Sequence, residues 1–392
     1  MRQAPEPAYK LQQFPLVDVL RLIRTTNVGS ITFFKLLRQY GTPKKALDAL
    51  PELSKRGGRK KPLVAFSKSE AEKEIAKVEK LGARMVVFGE PDYPSWLTTI
   101  NDPPPLLTML GSSEHWNGKP CIAMVGARNA SASGCAFAKR LATQLGQRDI
   151  TIVSGLARGI DTFAHQGSLA TGTVGVIASG IDVMYPPENS DLFAQLAEDG
   201  AIISEQPFGQ APFNTSFPSR NRIIAGMSLG TIVVEAALKS GSLITAKNAL
   251  DYNRDVFAVP GSPMDPRAKG CNQLLKDGAV MCEHADDIIR TLNSGIGGGM
   301  GGDQTSLCET SNDNYDAMAM APDAAELESA RSSISEKLGY QAVGVDELVL
   351  QCHVSASACL TILLEFELAG RLLRHPGNQV SLSPEAEVEF VE

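Results

Sequence analysis

The chain has 392 residues, 43% of them hydrophobic, and a formal net charge of −7. That length admits two or three domains with packed cores. An acidic total argues against a nucleic-acid partner at first sight, but the charge is uneven. It is +7 over residues 1–120, −2 over 121–292, −7 over 293–330 and −5 over 331–392, so the sum describes no single surface. No run of 18 apolar residues occurs, which excludes an ordinary membrane-spanning helix; the expectation is a soluble, cytoplasmic protein. The seven cysteines form no CxxC pair, and Cys271, Cys282 and His284 fit no standard zinc spacing. Reduced thiols, no metal and no cofactor are therefore expected.

Residues 16–52 carry an apolar helical face through Leu16, Val19, Leu20 and Ile23. A Val28-Gly29 turn leads to a second helix, which Gly41 closes. Thr42-Pro43 then opens a third with a cap and a first-turn proline. Short helices about a glycine turn suit a helix-hairpin-helix or a plain helical docking domain. The first domain is placed at 1–83, with a basic loop at Lys55–Lys61.

Residues 84–88 read as a strand, followed by an extended connection through Asp102–Pro105. From Pro120 the pattern is strand, polar or Gly-rich turn, helix, repeated. Strands are expected at 121–126, 150–153, 173–178, 201–203, 231–236, 256–259 and 279–282. Their continuous apolar runs fit strands buried on both faces. The predicted fold class is α/β: an extended Rossmann-like, doubly wound, mostly parallel sheet over 84–292. Ligands of such sheets bind at the carboxyl ends of the strands. Five turns are placed there: Gly126-Ala127-Arg128, Ser154-Gly155 with Arg158, Ser179-Gly180, the loop into Arg220, and Ser240-Gly241-Ser242. Glycines let a backbone approach phosphate, and helix N-termini favour anions.

The segment Ser216–Gly226, SFPSRNRIIAG, stands out. Phe217 can offer a ring face to a base, and Arg220, Asn221 and Arg222 can meet phosphate, the pairing used on single strands. The alternative is an internal ion pair such as Arg222 with Glu235. Residues 293–330, rich in Gly, Ser and acids, read as a flexible linker. Residues 331–392 read as a winged helix: helix, turn, the apolar helix ACLTILLEFELA, then a hairpin. Its second helix carries only Glu365 and Glu367 as charges, and Glu385, Glu387, Glu389 and Glu392 crowd the tail. Such a surface opposes phosphate neutralisation, so this domain is expected to contact protein, either its own main domain or a partner.

The stretches VGARNAS, SGLARGID, ASGID with YPPEN, SEQPFG, FPSRNRIIAG, VVEAALKSGSLITA, VFAVPG and GCNQLLKDGA resemble, in order, the DNA-processing protein A family (DprA, also called Smf). The resemblance covers about residues 121–292, and the helical and winged-helix flanks are similar too. It implies a non-catalytic protein of natural transformation and recombination. Such a protein binds and protects single-stranded DNA, helps load the RecA recombinase and works as a homodimer through the Rossmann-like domain. By position it points to Arg128 for phosphate and Phe217 for base contact, and to the loop with Asn214 and Ser216. Asn214 stands where the family places a basic residue, and the basic front domain is one source of compensation.

The enzymatic rival is a Rossmann-like nucleotide-processing enzyme, a phosphoribohydrolase of the lysine-decarboxylase-like group. That group uses PGGxGTxxE, whereas AGMSLGTIVVEA lacks the PGG and displaces Glu235 by one residue. A dehydrogenase is weaker still, because GARNAS is not GxGxxG. A transcription factor reading DNA through 331–392 is opposed by that segment's charge.

Overall fold

The computed structural model describes residue 7, residues 9–294, 324–375 and 377–383. Most of the expected linker and the four tail glutamates lie outside the described residues. Described residues within Met1–Leu20 and Lys68–Met300 form one compact unit; those within Arg21–Ser67 and Gly301–Glu392 form another. Among the described residues no single helix is long and apolar enough to cross a membrane.

The first unit is built on a nine-stranded sheet. Its strands are β1 (Arg84–Val87), β2 (Leu106–Gly111), β3 (Cys121–Gly126), β4 (Thr151–Ser154), β5 (Thr173–Val176), β6 (Ala201–Ser204), β7 (Gly230–Val234), β8 (Asp255–Ala258) and β9 (Val280–Met281). The order is β1-β2-β6-β5-β4-β3-β7-β8-β9. From β6 to β9 every pairing is parallel. β2 runs antiparallel to both β1 and β6. The α/β, mostly parallel sheet read from the apolar runs is therefore present. β2 was not anticipated: the Asp102–Pro105 connection leads straight into it. The Lys68–Lys80 helix was also not anticipated; it buries Ala71, Glu74 and Val78.

The core on one face of the sheet joins Ile122, Met124, Ile152 and Ile232 to Leu141 and Leu145 of the Ala132–Gly146 helix and to Ile160. Burying each large aliphatic side chain is worth about 1.5–3 kcal/mol. The sheet edge that carries the loops is thus held rigidly.

In the second unit the turns behave as their residues dictate. Gly41 takes φ 76° and ends the Ser30–Tyr40 helix. Thr42 Oγ1 accepts from Lys45 N at 3.2 Å and Pro43 opens the Pro43–Arg56 helix. The winged helix comprises Val345–Cys352, Ala356–Leu368 and a small sheet of β10 (Val343–Gly344), β11 (Leu372–His375) and β12 (Gln379–Leu382). Within this unit its second helix packs on the N-terminal helices, a neighbour the sequence reading did not name. Asn27 Nδ2 donates to Leu368 O at 3.2 Å, Thr32 Oγ1 to Glu367 at 2.8 Å, and Arg371 Nη1 to Gly57 O at 3.2 Å. Glu365 is buried and paired with Arg331 at 2.7 Å.

Candidate nucleic-acid interface

β3 has β4 on one side and β7 on the other. The chain winds outward from β3 through β4, β5 and β6, then returns to β7. This reversal opens a crevice at the carboxyl ends of β3 and β7, the usual ligand position of such sheets. Arg128 follows β3, and Phe217 sits in the first turn of the Ser216–Gly226 helix. The Arg128 guanidinium lies 5.0 Å from the Phe217 ring centroid. The Tyr185 ring lies 6.0 Å from that of Phe217, tilted by 52°. Arg128 and Tyr185 are exposed and Phe217 is half-buried. Two cavities share the Arg128–Phe217 wall. One, of about 220 Å³, is bounded by Arg158, Tyr185 and Glu188. The other, of about 540 Å³, is bounded by Gly126, Asn221, Lys239, Ser240, Gly241 and Ser242.

Arg220 forms the floor. It is 6% exposed, and its Nη1 donates to Val176 O at 2.7 Å and to Gly155 O. Asp161, also buried, accepts from Gly155 N at 3.2 Å and Ala157 N at 3.3 Å. Burial pushes the Asp161 carboxyl up against the opposing pull of Arg220. Burial lowers Arg220 to about 10, with Asp161 resisting and Arg128 adding to the drop. Arg220 stays charged at neutral pH and fixes the loop 155–158 from below.

Several expected ligand residues have other duties. Gly155 lines the smaller cavity, but its missing side chain makes room for Arg220: a Cβ would stand 2.0 Å from Nη1. A Cβ on Gly126 would stand 1.9 Å from Val234 O, so close strand packing requires this glycine. Ser154 is buried and its Oγ donates to Met124 O at 2.6 Å. Ser216 is buried, with its Oγ accepting from Phe213 N at 3.5 Å, and lines neither cavity. Asn214 is exposed and also outside both walls. Arg158 lies 3.4 Å from Glu188. Arg222 is turned away from the crevice. It donates to Glu205 at 2.5 Å and to Asp102 O at 2.5 Å, with the Asp102 carboxylate at 3.5 Å. Burial works against its charge, but Glu205 and Asp102 prevail and its pKa is raised. The carboxylate suggested for Arg222, Glu235, has a different partner.

Glu235 follows β7 with φ 53° and accepts from Ser131 N at 2.8 Å and from Ser131 Oγ. Gly134 leaves room for it: a Cβ there would stand 2.6 Å from the carboxylate. The chain's own carboxylate thus occupies the N-terminus of the Ala132–Gly146 helix, where a dinucleotide-binding sheet places its pyrophosphate.

Tyr185 and Lys239, absent from the residues expected from sequence, line the two cavities; their signal is their place in YPPEN and next to Ser240-Gly241-Ser242. His165 is buried, its Nδ1 2.6 Å from Thr173 Oγ1. Burial, then Arg220, lowers it to about 3, so it is neutral at physiological pH. Among the described residues no group of three or more His, Cys, Asp or Glu can hold a metal ion. Burial raises the Cys271 thiol to about 11 and that of Cys282 to about 12.

The family model for DNA recombination-mediator protein A matches residues 84–293. A DprA-like N-terminal HHH domain matches 15–76 and a DprA winged helix domain 318–378. The chain is 31% identical over 322 residues to Protein Smf of Escherichia coli, spanning 81% of this chain and 83% of that one. It is 42% identical over 210 residues to Protein Smf of Synechocystis, a match that spans 52% of this chain but only 53% of the relative. The crystal structure of DNA processing protein A from Streptococcus pneumoniae superposes with a TM-score of 0.60 at 34% identity, covering 69% of this chain and 95% of that one. A structure of the Helicobacter pylori protein, described as showing a single-stranded DNA binding mode, superposes with a TM-score of 0.50 at 28% identity, covering 54% and 96%.

Proposed function

The chain belongs to the DprA/Smf family of DNA-processing proteins, and we propose that its crevice binds single-stranded DNA without strong sequence preference. The observation that carries this reading is the exposed Arg128 guanidinium stacked on Phe217 beside Tyr185. Rings and an arginine at one spot provide faces for bases and charge for phosphate. Lys239 and the Ser240-Gly241-Ser242 turn supply further phosphate contacts in the larger cavity. The single-strand binding mode named for the H. pylori relative is in line with this.

The role is binding rather than catalysis. The helix N-terminus that a nucleotide-processing sheet would use is taken by Glu235, and Asp161 and Arg220 are committed to holding a loop. Following the family resemblance, the protein acts in the cytoplasm as a homodimer in transformation and recombination and helps RecA onto the strand. Light scattering and RecA filament assembly on single strands, with and without the protein, check those two points.

The mutational test uses a labelled single-stranded oligonucleotide. Phe217→Ala should weaken binding by about 1–3 kcal/mol. Arg128→Ala should flatten the log–log salt dependence by about 0.7. Unchanged affinity in a folded Arg128→Ala/Phe217→Ala protein would sink the proposal.

A further inference from the structure

A third cavity, of about 640 Å³, opens beyond the crevice between the Ala132–Gly146 helix and the loop after β8. It shares the Arg267 wall with the 540 Å³ cavity, which in turn shares Arg128 and Phe217 with the smallest one. The three therefore adjoin in a row along the loop-bearing edge of the sheet. The far cavity repeats the device of the first. The Arg140 guanidinium lies 5.4 Å from the Phe137 ring centroid. Arg140 is exposed, Phe137 half-buried, and both line the cavity.

The rest of the wall decides what this cavity can hold. Its two carboxylates are each engaged, Glu235 by Ser131 and Asp265 by Arg267 at 2.8 Å. Two arginines face two carboxylates, so the wall has no net pull on a free phosphate or nucleotide. The helix N-terminus that would attract one is already closed by Glu235. What remains is a ring with a cation above it, beside serine hydroxyls, which suits a base delivered on a strand already anchored elsewhere.

We infer that the far cavity is a second base-stacking station, with Phe137 and Arg140 receiving a nucleotide of the same single strand that Arg128 and Phe217 hold. The strand runs from Tyr185 past Lys239 and across Arg267 to Phe137. This rests on the proposed single-strand reading of the crevice. Its consequence is a length dependence: a short oligonucleotide fills the first two cavities, and only a longer one reaches the third.

Oligothymidylates of about 4 and about 16 nucleotides bracket the site sizes of single-strand binders. Their affinities are measured for the full chain, for Arg140→Ala, and for Phe137→Leu, which keeps apolar packing but removes the ring. Arg128→Ala/Phe217→Ala serves as reference. Both far-cavity variants should bind the short oligonucleotide as the parent does and the long one roughly 5–150-fold more weakly, the equivalent of about 1–3 kcal/mol per stacked base. The reference variant should lose affinity for both lengths. Parental binding of the long oligonucleotide by Arg140→Ala and Phe137→Leu would overturn the second station and leave the crevice reading intact. Parental binding of both lengths by the reference variant would overturn the crevice reading and the second station together.

Discussion

Arg222→Ala should destabilise the protein far more than Arg128→Ala, although each removes one arginine from the same compact unit. The side chain of Arg222 is 13% exposed and that of its partner Glu205 17%. Removing the guanidinium takes a charged partner from the Glu205 carboxylate, a donor from the Asp102 carbonyl and the neighbouring charge from one side of the Asp102 carboxylate; the other oxygen still accepts from Tyr252 at 2.9 Å. Breaking a buried pair costs about 3–5 kcal/mol. Residual exposure here argues for the lower end, about 3 kcal/mol. For a unit of this size each kcal/mol shifts Tm by about 2–4 °C, so a drop of about 6–12 °C is expected. Arg128 loses only an exposed cation–π contact of about 0.5–1 kcal/mol, or about 1–4 °C. Calorimetry on the two purified variants, with Glu205→Gln as a partial loss, measures the difference. Equal Tm values for Arg222→Ala and Arg128→Ala would refute the structural assignment of Arg222.

Two further outcomes follow from buried groups. His165 has a folded pKa lowered to about 3 against about 6.5 unfolded, so its contribution is fully present above pH 6.5 and is lost as pH falls toward 3. That amounts to about 2 kcal/mol between pH 7 and pH 5. Urea midpoints at both pH values should show a smaller acid loss in His165→Asn, and an identical loss would contradict the assignment. In the second unit a Cβ at Gly57 would stand 2.1 Å from the Glu365 carbonyl oxygen, which cannot move without its helix. Gly57→Val should cost about 1–3 kcal/mol and speed proteolysis within 324–383 while single-strand affinity stays parental; unaltered proteolysis would count against this packing.

The parallel sheet was legible because strands buried on both faces leave uninterrupted runs such as CIAMVG and TIVVEA. The caps of the N-terminal helices were legible because Gly41, Thr42 and Pro43 act locally. β2 was not, because the prolines before it read as a connection and no Gly-rich turn introduces it. The Lys68–Lys80 helix was not, because KSEAEKEIAKVEK offers too few apolar residues to mark a face. At the crevice, Arg128 and Phe217 were named from sequence and lie together. The duties of Gly126, Gly155, Ser154 and Arg222 depend on partners up to 120 residues away. No local pattern distinguishes a glycine that admits a phosphate from one that admits an arginine.

Whether the crevice takes an unpaired strand is decided by titrating the full chain with labelled single-stranded and duplex oligonucleotides of one length at two salt concentrations, with free nucleotides as competitors. Tighter binding of the single strand is expected at both concentrations, weakening as salt rises, with no displacement by nucleotides. Equal or tighter binding of the duplex, or displacement by a free nucleotide, would contradict that expectation.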